Sequence, residues 1–153
     1  MRLLLYISLF SFIACSDPND GDDFSDPHDW HYNPGLWEFT AWMTASVSNE
    51  GSHIGDDGDI LAAFDDAGTV RGVAVQVTPL DQNGEPFGPF AGKILYEMTI
   101  GSNGNGDNIS FQYYDASADT VLGIVENYTF KTNELQGDLV SPVFYNIVQI
   151  STE

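Results

Sequence analysis

Residues 37–47 read WEFTAWMTASV, and this stretch decides the fold class. Its odd-numbered positions are apolar, and its even-numbered positions are polar except for Trp42. Successive side chains of a β-strand point to opposite faces, so this alternation predicts a strand with one buried face. Trp42 is then an aromatic side chain on the polar face of that strand.

Short apolar stretches recur along the rest of the chain. We predict six further strands, near residues 60–64, 70–77, 94–100, 109–113, 127–131 and 143–150. Turn sequences rich in Gly, Asn, Asp and Pro separate them, and no stretch combines a sustained helical period with capping residues. Seven short strands of this kind predict an all-β fold, a single antiparallel Ig-like β-sandwich over residues 36–153. A small barrel is the alternative, because periodicity does not separate the two.

The segment 57–74, DGDILAAFDDAGTVRGVA, carries a family resemblance. Together with residues 96–100 and 109–116, it resembles an Ig-like module that is repeated in large secreted bacterial proteins. The resemblance extends from Trp37 to Ile147. It implies a β-sandwich that serves as an extracellular building block or binding module, and it carries over no catalytic residues.

The N-terminus has the pattern of a bacterial lipoprotein signal. Residues 3–13 are an apolar stretch that is too short to span a bilayer comfortably. Residues 12–15, Phe-Ile-Ala-Cys, resemble a lipobox, although Phe12 stands where Leu is usual. The resemblance implies that residues 1–14 are removed as a signal peptide and that Cys15, the single cysteine of the chain, is lipidated. An ordinary secretory signal is the alternative.

Residues 15–35 are predicted to form an acidic, disordered tether. From residue 16 onward this segment contains six Asp and three Pro but no Leu, Ile or Val. Such a composition buries too little apolar surface to offset the entropy of ordering the chain. An acidic stretch directly after the lipid-bearing cysteine also resembles the export signal of surface lipoproteins in Bacteroidetes-type bacteria. This resemblance implies an outer-membrane or cell-surface location, with membrane contact only through the anchor; a plain soluble spacer is the alternative.

The charge balance excludes several classes of partner. Four Lys and Arg oppose 23 Asp and Glu, which gives a formal net charge of −19. Nucleic acids and anionic lipid surfaces require basic protein surfaces, so we expect neither as a partner.

Arg71 is expected to form a structural ion pair with a neighbouring carboxylate, with ligand binding as its alternative role. We expect no enzymatic activity, because the sequence has neither a nucleophile elbow nor a metalloprotease helix motif.

Two groups of oxygen-bearing side chains are candidate calcium sites. Their members are Asp56, Asp57 and Asp59 in the first group and Asn103, Asn105 and Asp107 in the second. Ca²⁺ takes about six to eight oxygen ligands, which acidic turns containing glycine can supply. The second group departs from the EF-hand pattern, since Asn108 stands where that loop needs glycine. Ordinary turn chemistry is the alternative for both groups.

Trp42 and Tyr114 are the candidate ligand-binding residues. If both are exposed on one sheet face, they form an aromatic platform that stacks on sugar rings, as in carbohydrate-binding modules. Coverage by a loop or by the N-terminal segment is the alternative. We therefore predict a lipid-anchored extracytoplasmic module that binds a glycan or an extracellular protein, with Ca²⁺ as the candidate cofactor. A non-binding structural or adhesive module of the envelope or matrix is the alternative function.

Replacing Cys15 by Ser is expected to release the protein from membranes without changing its fold. The predicted lipid chains attach at residue 15, whereas the first predicted strand begins at residue 37, so acylation does not touch the core. Membrane fractionation and circular dichroism of the Cys15→Ser and parent proteins measure the two effects. A variant that still fractionates with membranes contradicts the lipobox interpretation.

Overall fold

The computed structural model of the protein describes residues 27–149. Its regular structure consists of two short 3-10 helices, Pro27–Asp29 and Pro34–Leu36, and eleven β-strands. The strands are β1 (Phe39–Asn49), β2 (Ser52–Ile54), β3 (Ile60–Phe64), β4 (Val70–Val73), β5 (Val75–Val77), β6 (Leu95–Ser102), β7 (Asn108–Asp115), β8 (Thr120–Gly123), β9 (Tyr128–Thr129), β10 (Leu135–Gln136) and β11 (Val143–Asn146). They form two sheets packed face to face, which confirms the predicted β-sandwich. The structure has eleven strands, whereas the sequence predicted seven.

Sheet A is built around β1, its longest strand. One edge of β1 pairs antiparallel with β6 and then with β2. The other edge pairs with β10 and β11, and both of these run parallel to β1. β5 adds to the far side of β6. Sheet A is therefore mixed, whereas the sequence predicted antiparallel pairing throughout.

Sheet B is antiparallel and has the strand order β4-β3-β7-β8, with β9 paired to the start of β7. Its central pair joins Ile60 to Tyr114 and Phe64 to Ser110, so β3 and β7 run side by side over the full length of β3. The turn before β3 and the turn after β7 consequently lie at the same end of the sandwich.

Residues 70–77 form two strands instead of the single strand predicted. β4 pairs with β3 in sheet B, whereas β5 pairs with β6 in sheet A. The chain changes sheets at Ala74, whose amide donates to the Leu61 carbonyl at 2.9 Å. This change of sheet makes one corner of the sandwich. Periodicity does not reveal it, because both halves have the composition of a strand.

The core lies between the two sheets, and β1 turns its apolar side chains toward it as the sequence predicted. Thr44, Ser46 and Ser48 on the other face of β1 are also buried, so this strand is covered on both faces along much of its length. The inward side chains of β1 are all at most 3% exposed, and they are Ala41, Met43, Ala45 and Val47. Leu61, Phe111 and Tyr113 of sheet B pack against them in the same cluster. Burial of such side chains is the main source of stability in a sandwich of this size.

The N-terminal segment, residues 27–37, packs onto the sandwich. Trp30 is 7% exposed and lies on the outer face of sheet B, with its ring 5.2 Å from that of Phe64 in an edge-to-face contact. Ala62, Val70 and Tyr114 complete this second cluster. The part of the predicted tether between residues 27 and 35 therefore belongs to the folded unit, because its aromatic side chains supply the apolar area that the segment otherwise lacks. Residues 15–26 of the tether prediction lie outside the described residues.

The corner at Ala74 brings the backbones of β4 and β6 into close contact. Gly72 is buried there, and a Cβ atom at this position would lie 2.6 Å from the Thr99 carbonyl oxygen and 2.8 Å from the Met98 sulfur. No side chain fits between a strand and a backbone oxygen at that distance, so the corner requires glycine.

Gly72→Ala is expected to lower the free energy of unfolding by about 1–3 kcal/mol, since the added methyl group overpacks the corner. Gly104→Ala is the matched control, because a Cβ atom at Gly104 meets no atom within 4 Å. We expect the control to change stability by less than about 0.5 kcal/mol. Urea denaturation of both variants measures the difference; equal losses would refute the close approach of β4 and β6.

Candidate functional site

The outer face of sheet A carries an open groove of about 620 Å³. Residues of five strands and of the N-terminal segment line it. We call it the Trp42 groove and define it by Tyr32, Trp42, Thr44, Val73, Val75, Glu97, Thr99 and Leu135.

Strand register explains how these residues meet. Trp42 of β1 pairs with Leu135 of β10 on one side and with Thr99 of β6 on the other. One row further along, Thr44 pairs with Glu97, and Glu97 pairs with Val75 of β5. Residues two apart on a strand point to the same face, so the two rows form one continuous surface.

Trp42 is the aromatic centre of the groove. Its side chain is 43% exposed, and the neighbouring Val75 and Leu135 are 67% and 70% exposed. Hydroxyl groups from Thr44 and Thr99 and the Glu97 carboxylate lie on the same face. This combination of an apolar floor and a few polar groups is typical of a ligand site.

Tyr32 comes from the segment that the sequence assigned to the tether, and the sequence analysis missed it. Burial raises the pKa of its phenol, and its hydroxyl is buried without a hydrogen-bond partner among the described residues. The signal available in the sequence was the presence of Trp30 and Tyr32 in an otherwise polar stretch. Glu97 and Thr99 were also missed, although both occupy the outward positions of a predicted strand.

Tyr114 does not join Trp42, so the predicted shared platform is wrong. Tyr114 belongs to β7 of sheet B, on the opposite side of the sandwich, and is 6% exposed. It packs in the cluster that contains Trp30, and its hydroxyl donates to Asp119 Oδ1 at 2.9 Å. The N-terminal segment therefore covers it, which was the alternative interpretation of the sequence.

Asp59, a predicted calcium ligand, is a buried structural acceptor. Its Oδ1 accepts from the Ala116 amide at 2.9 Å, and its Oδ2 accepts from the Asp56 amide at 2.8 Å and from the Tyr113 hydroxyl. The carboxylates of Asp56 and Asp57 are exposed instead. The three side chains thus do not converge on one point.

The Asp59 carboxylate ends a hydrogen-bond chain through the core. The Tyr96 hydroxyl of sheet A lies 3.2 Å from the Tyr113 hydroxyl of sheet B, which donates to Asp59. Burial raises the pKa of Tyr96 to about 12. Burial, and then the hydrogen bond to Asp59, also raise the pKa of Tyr113. Both phenols consequently stay protonated, and they link the two sheets at neutral pH.

The second predicted calcium group is distributed over three different contacts. Asn103 Oδ1 accepts from the Glu38 amide at 2.9 Å, and Asn105 Oδ1 accepts from the Thr132 amide at 2.7 Å. Asp107 Oδ2 accepts from Ser102 Oγ at 2.6 Å and from Arg71. These oxygens fix separate loops to one another.

The two predicted calcium groups also lie far apart. One is next to the end of β7, and the other precedes its first residue, so about 20 Å of strand separates them. Within residues 27–149, no group of three or more His, Cys, Asp or Glu side chains is placed to hold a metal ion. Calcium binding stays a prediction, which thermal unfolding in Ca²⁺ and Mg²⁺ at matched ionic strength would test.

Arg71 forms the predicted structural ion pair, and it does so in a buried position. The residue is 5% exposed. Its Nε donates to Asp65 at 3.2 Å, its Nη2 to Asp107, and its Nη1 to the Gly101 carbonyl at 3.2 Å. The guanidinium carbon also lies 4.1 Å from the centre of the Trp37 ring. These contacts engage all three nitrogens with protein groups, which favours the structural role over ligand binding.

Comparison with known proteins provides no relative from which a function transfers. The chain matches no protein-family model, and no curated protein or solved structure is significantly similar to it. Cys15, the predicted lipidation site, lies outside the described residues. None of the helices in residues 27–149 is long and apolar enough to cross a membrane.

Asp59→Asn is expected to lower the free energy of unfolding by about 2–4 kcal/mol. An amide has one acceptor oxygen, so at least one buried donor among the three that Asp59 satisfies loses its partner. Asp57→Asn removes the same charge from an exposed neighbour and serves as the control. We expect its effect to stay within about 0.5 kcal/mol in urea denaturation. If the two variants are equally stable, Asp59 does not hold this turn.

Proposed function

We propose that the chain is a lipid-anchored extracytoplasmic module that binds a glycan in the Trp42 groove. The observation that carries the proposal is the exposed ring of Trp42, placed between apolar side chains and hydroxyl groups on the outer face of sheet A. Anchoring and surface location are supported by the lipobox pattern at Cys15 and by the acidic stretch that follows it.

The chemistry of the groove suits a sugar ring. A sugar presents an apolar face of C–H groups and a rim of hydroxyl groups. Trp42 offers a flat apolar surface for the face, and Thr99 and Glu97 offer polar groups for the rim. Aromatic side chains contribute large contact areas with little loss of side-chain entropy, because they have few rotatable bonds.

The size of the groove favours a glycan over a protein partner. Its volume of about 620 Å³ falls within the range of small-ligand sites, roughly 300–1,000 Å³. A stable protein partner needs about 800 Å² of contact on each side, which is a flatter and wider surface. The groove residues lie mostly on paired strands, so the site is ordered before its ligand arrives, and this lowers the entropic cost of binding.

Trp42→Ala is expected to weaken glycan binding at least tenfold, which corresponds to about 1.4 kcal/mol. The parent and the variant would both carry Cys15→Ser, so that neither is lipidated. A glycan array identifies the binding sugars, and titration calorimetry measures their affinity.

Phe144→Ala is the matched control for this experiment. Phe144 is an aromatic residue of sheet A that is 59% exposed and does not line the groove. We expect this variant to bind like the parent, and we expect unchanged circular dichroism for both variants. Equal losses in the two variants, or no bound glycan at all, would refute the groove as a glycan site and favour the structural-module alternative.

A further inference from the structure

Among the described residues that line the Trp42 groove, one carries a carboxylate and none is basic. On the basis of the proposed function, we infer that its ligand is an amino-sugar polysaccharide with free, protonated amines. In this arrangement one sugar ring stacks on Trp42, and its ammonium group pairs with Glu97.

Glu97 is available for such a pair. Its side chain is exposed on the outer face of β6. Within the described part of the chain, the ion pairs of basic residues are those of Arg71 with Asp65 and Asp107 and that of Lys131 with Glu134. No basic residue of this part of the chain lines the groove, so no cation from residues 27–149 neutralises Glu97.

The position of Glu97 relative to Trp42 fits one sugar ring. Trp42 pairs with Thr99, and Glu97 is two residues before Thr99 on the same strand. Glu97 is therefore the diagonal neighbour of Trp42, and such residues lie about 7–8 Å apart. When a sugar ring stacks on the indole, a substituent of that ring and the extended Glu97 side chain can together span this distance.

The negative charge of the protein disfavours the binding of other polysaccharide classes. The formal net charge of −19 repels uronic acid and sulfated polymers and attracts cationic ones. An ammonium group also gains from the face of the Trp42 ring, whereas an N-acetyl group has no charge to offer. A charge-assisted hydrogen bond to Glu97 thus distinguishes a free amine from its acetylated form.

Titration calorimetry with three oligosaccharides of equal length tests the inference. The probes are oligomers of glucosamine, N-acetylglucosamine and galacturonate, at about pH 5.5, where the sugar amines are protonated. The Cys15→Ser protein is expected to bind the glucosamine oligomer about tenfold tighter than the N-acetylated one, and the galacturonate oligomer most weakly. Glu97→Gln is expected to abolish the preference for the amine, so that the glucosamine and N-acetylglucosamine oligomers bind with equal affinity.

Glu85→Gln is the matched control, since Glu85 is exposed, lies outside the groove and undergoes the same chemical change. We expect this variant to keep the tenfold preference. If Glu85→Gln reduces the preference as much as Glu97→Gln does, bulk charge is responsible and the inference is wrong.

Trp42-dependent binding without an amine preference would overturn the inference while the proposed function stands. A protein that binds no sugar at all would overturn both.

Discussion

The buried guanidinium of Arg71 is the interaction on which the rest of the structure depends. It joins β4 to the turn at Asp65, to the β6 carbonyl of Gly101, to the loop at Asp107 and to the ring of Trp37. A buried charge is costly to desolvate, so it persists only where its donors are engaged. Arg71 meets that condition by using one donor group for each of three neighbouring segments.

The Trp42 groove depends on this cation through the N-terminal segment. Trp37 lies against the guanidinium and also against Gly101, where any Cβ atom would overlap the indole. These contacts fix the chain just before β1, and they hold the preceding residues against the sandwich. Tyr32 reaches one end of the groove for that reason. Arg71 does not line the groove, but it contacts the segment that brings Tyr32 to the end of the groove.

The acidic composition of the chain has a structural use. Asp107 accepts hydrogen bonds ahead of the first residue of β7, and Asp59 accepts them beside its end. The first carboxylate engages a cation, whereas the second engages the phenol of Tyr113 and two backbone amides. Both ends of the sandwich are therefore closed by a buried or half-buried carboxylate. Sequence patterns identified both acidic turns as candidate calcium sites or ordinary turns, because they show the residue types and not the donors that fold against them.

Local patterns predicted the fold better than the site. The alternation in residues 37–47 was enough to predict β1 and the face that it turns to the core, since burial of one face follows directly from a period of two. The change of sheet at Ala74 and the parallel pairing of β10 and β11 depend on contacts between distant segments, which a local pattern does not contain. Tyr114 was correctly placed on the outer side of its strand, but only the fold shows that Trp30 covers it. The composition of the acidic segment likewise did not predict that Trp30 and Tyr32 pack on the sandwich. Composition is an average over the segment, and its many Asp residues outweigh two aromatic side chains in that average.

The path of the N-terminal segment makes the two outer faces of the sandwich different, because the segment covers part of sheet B before it reaches sheet A. The chain enters the described structure at Pro27, binds the outer face of sheet B through Trp30 and only then passes to sheet A. A tether from a lipid at Cys15 would therefore pull on the face opposite to Trp42. Such an anchor would join the domain on the side of sheet B and leave the Trp42 groove open on the opposite side. The place where the chain enters the fold, and no contact between protein and membrane, would then decide which face of the domain lies away from the anchor.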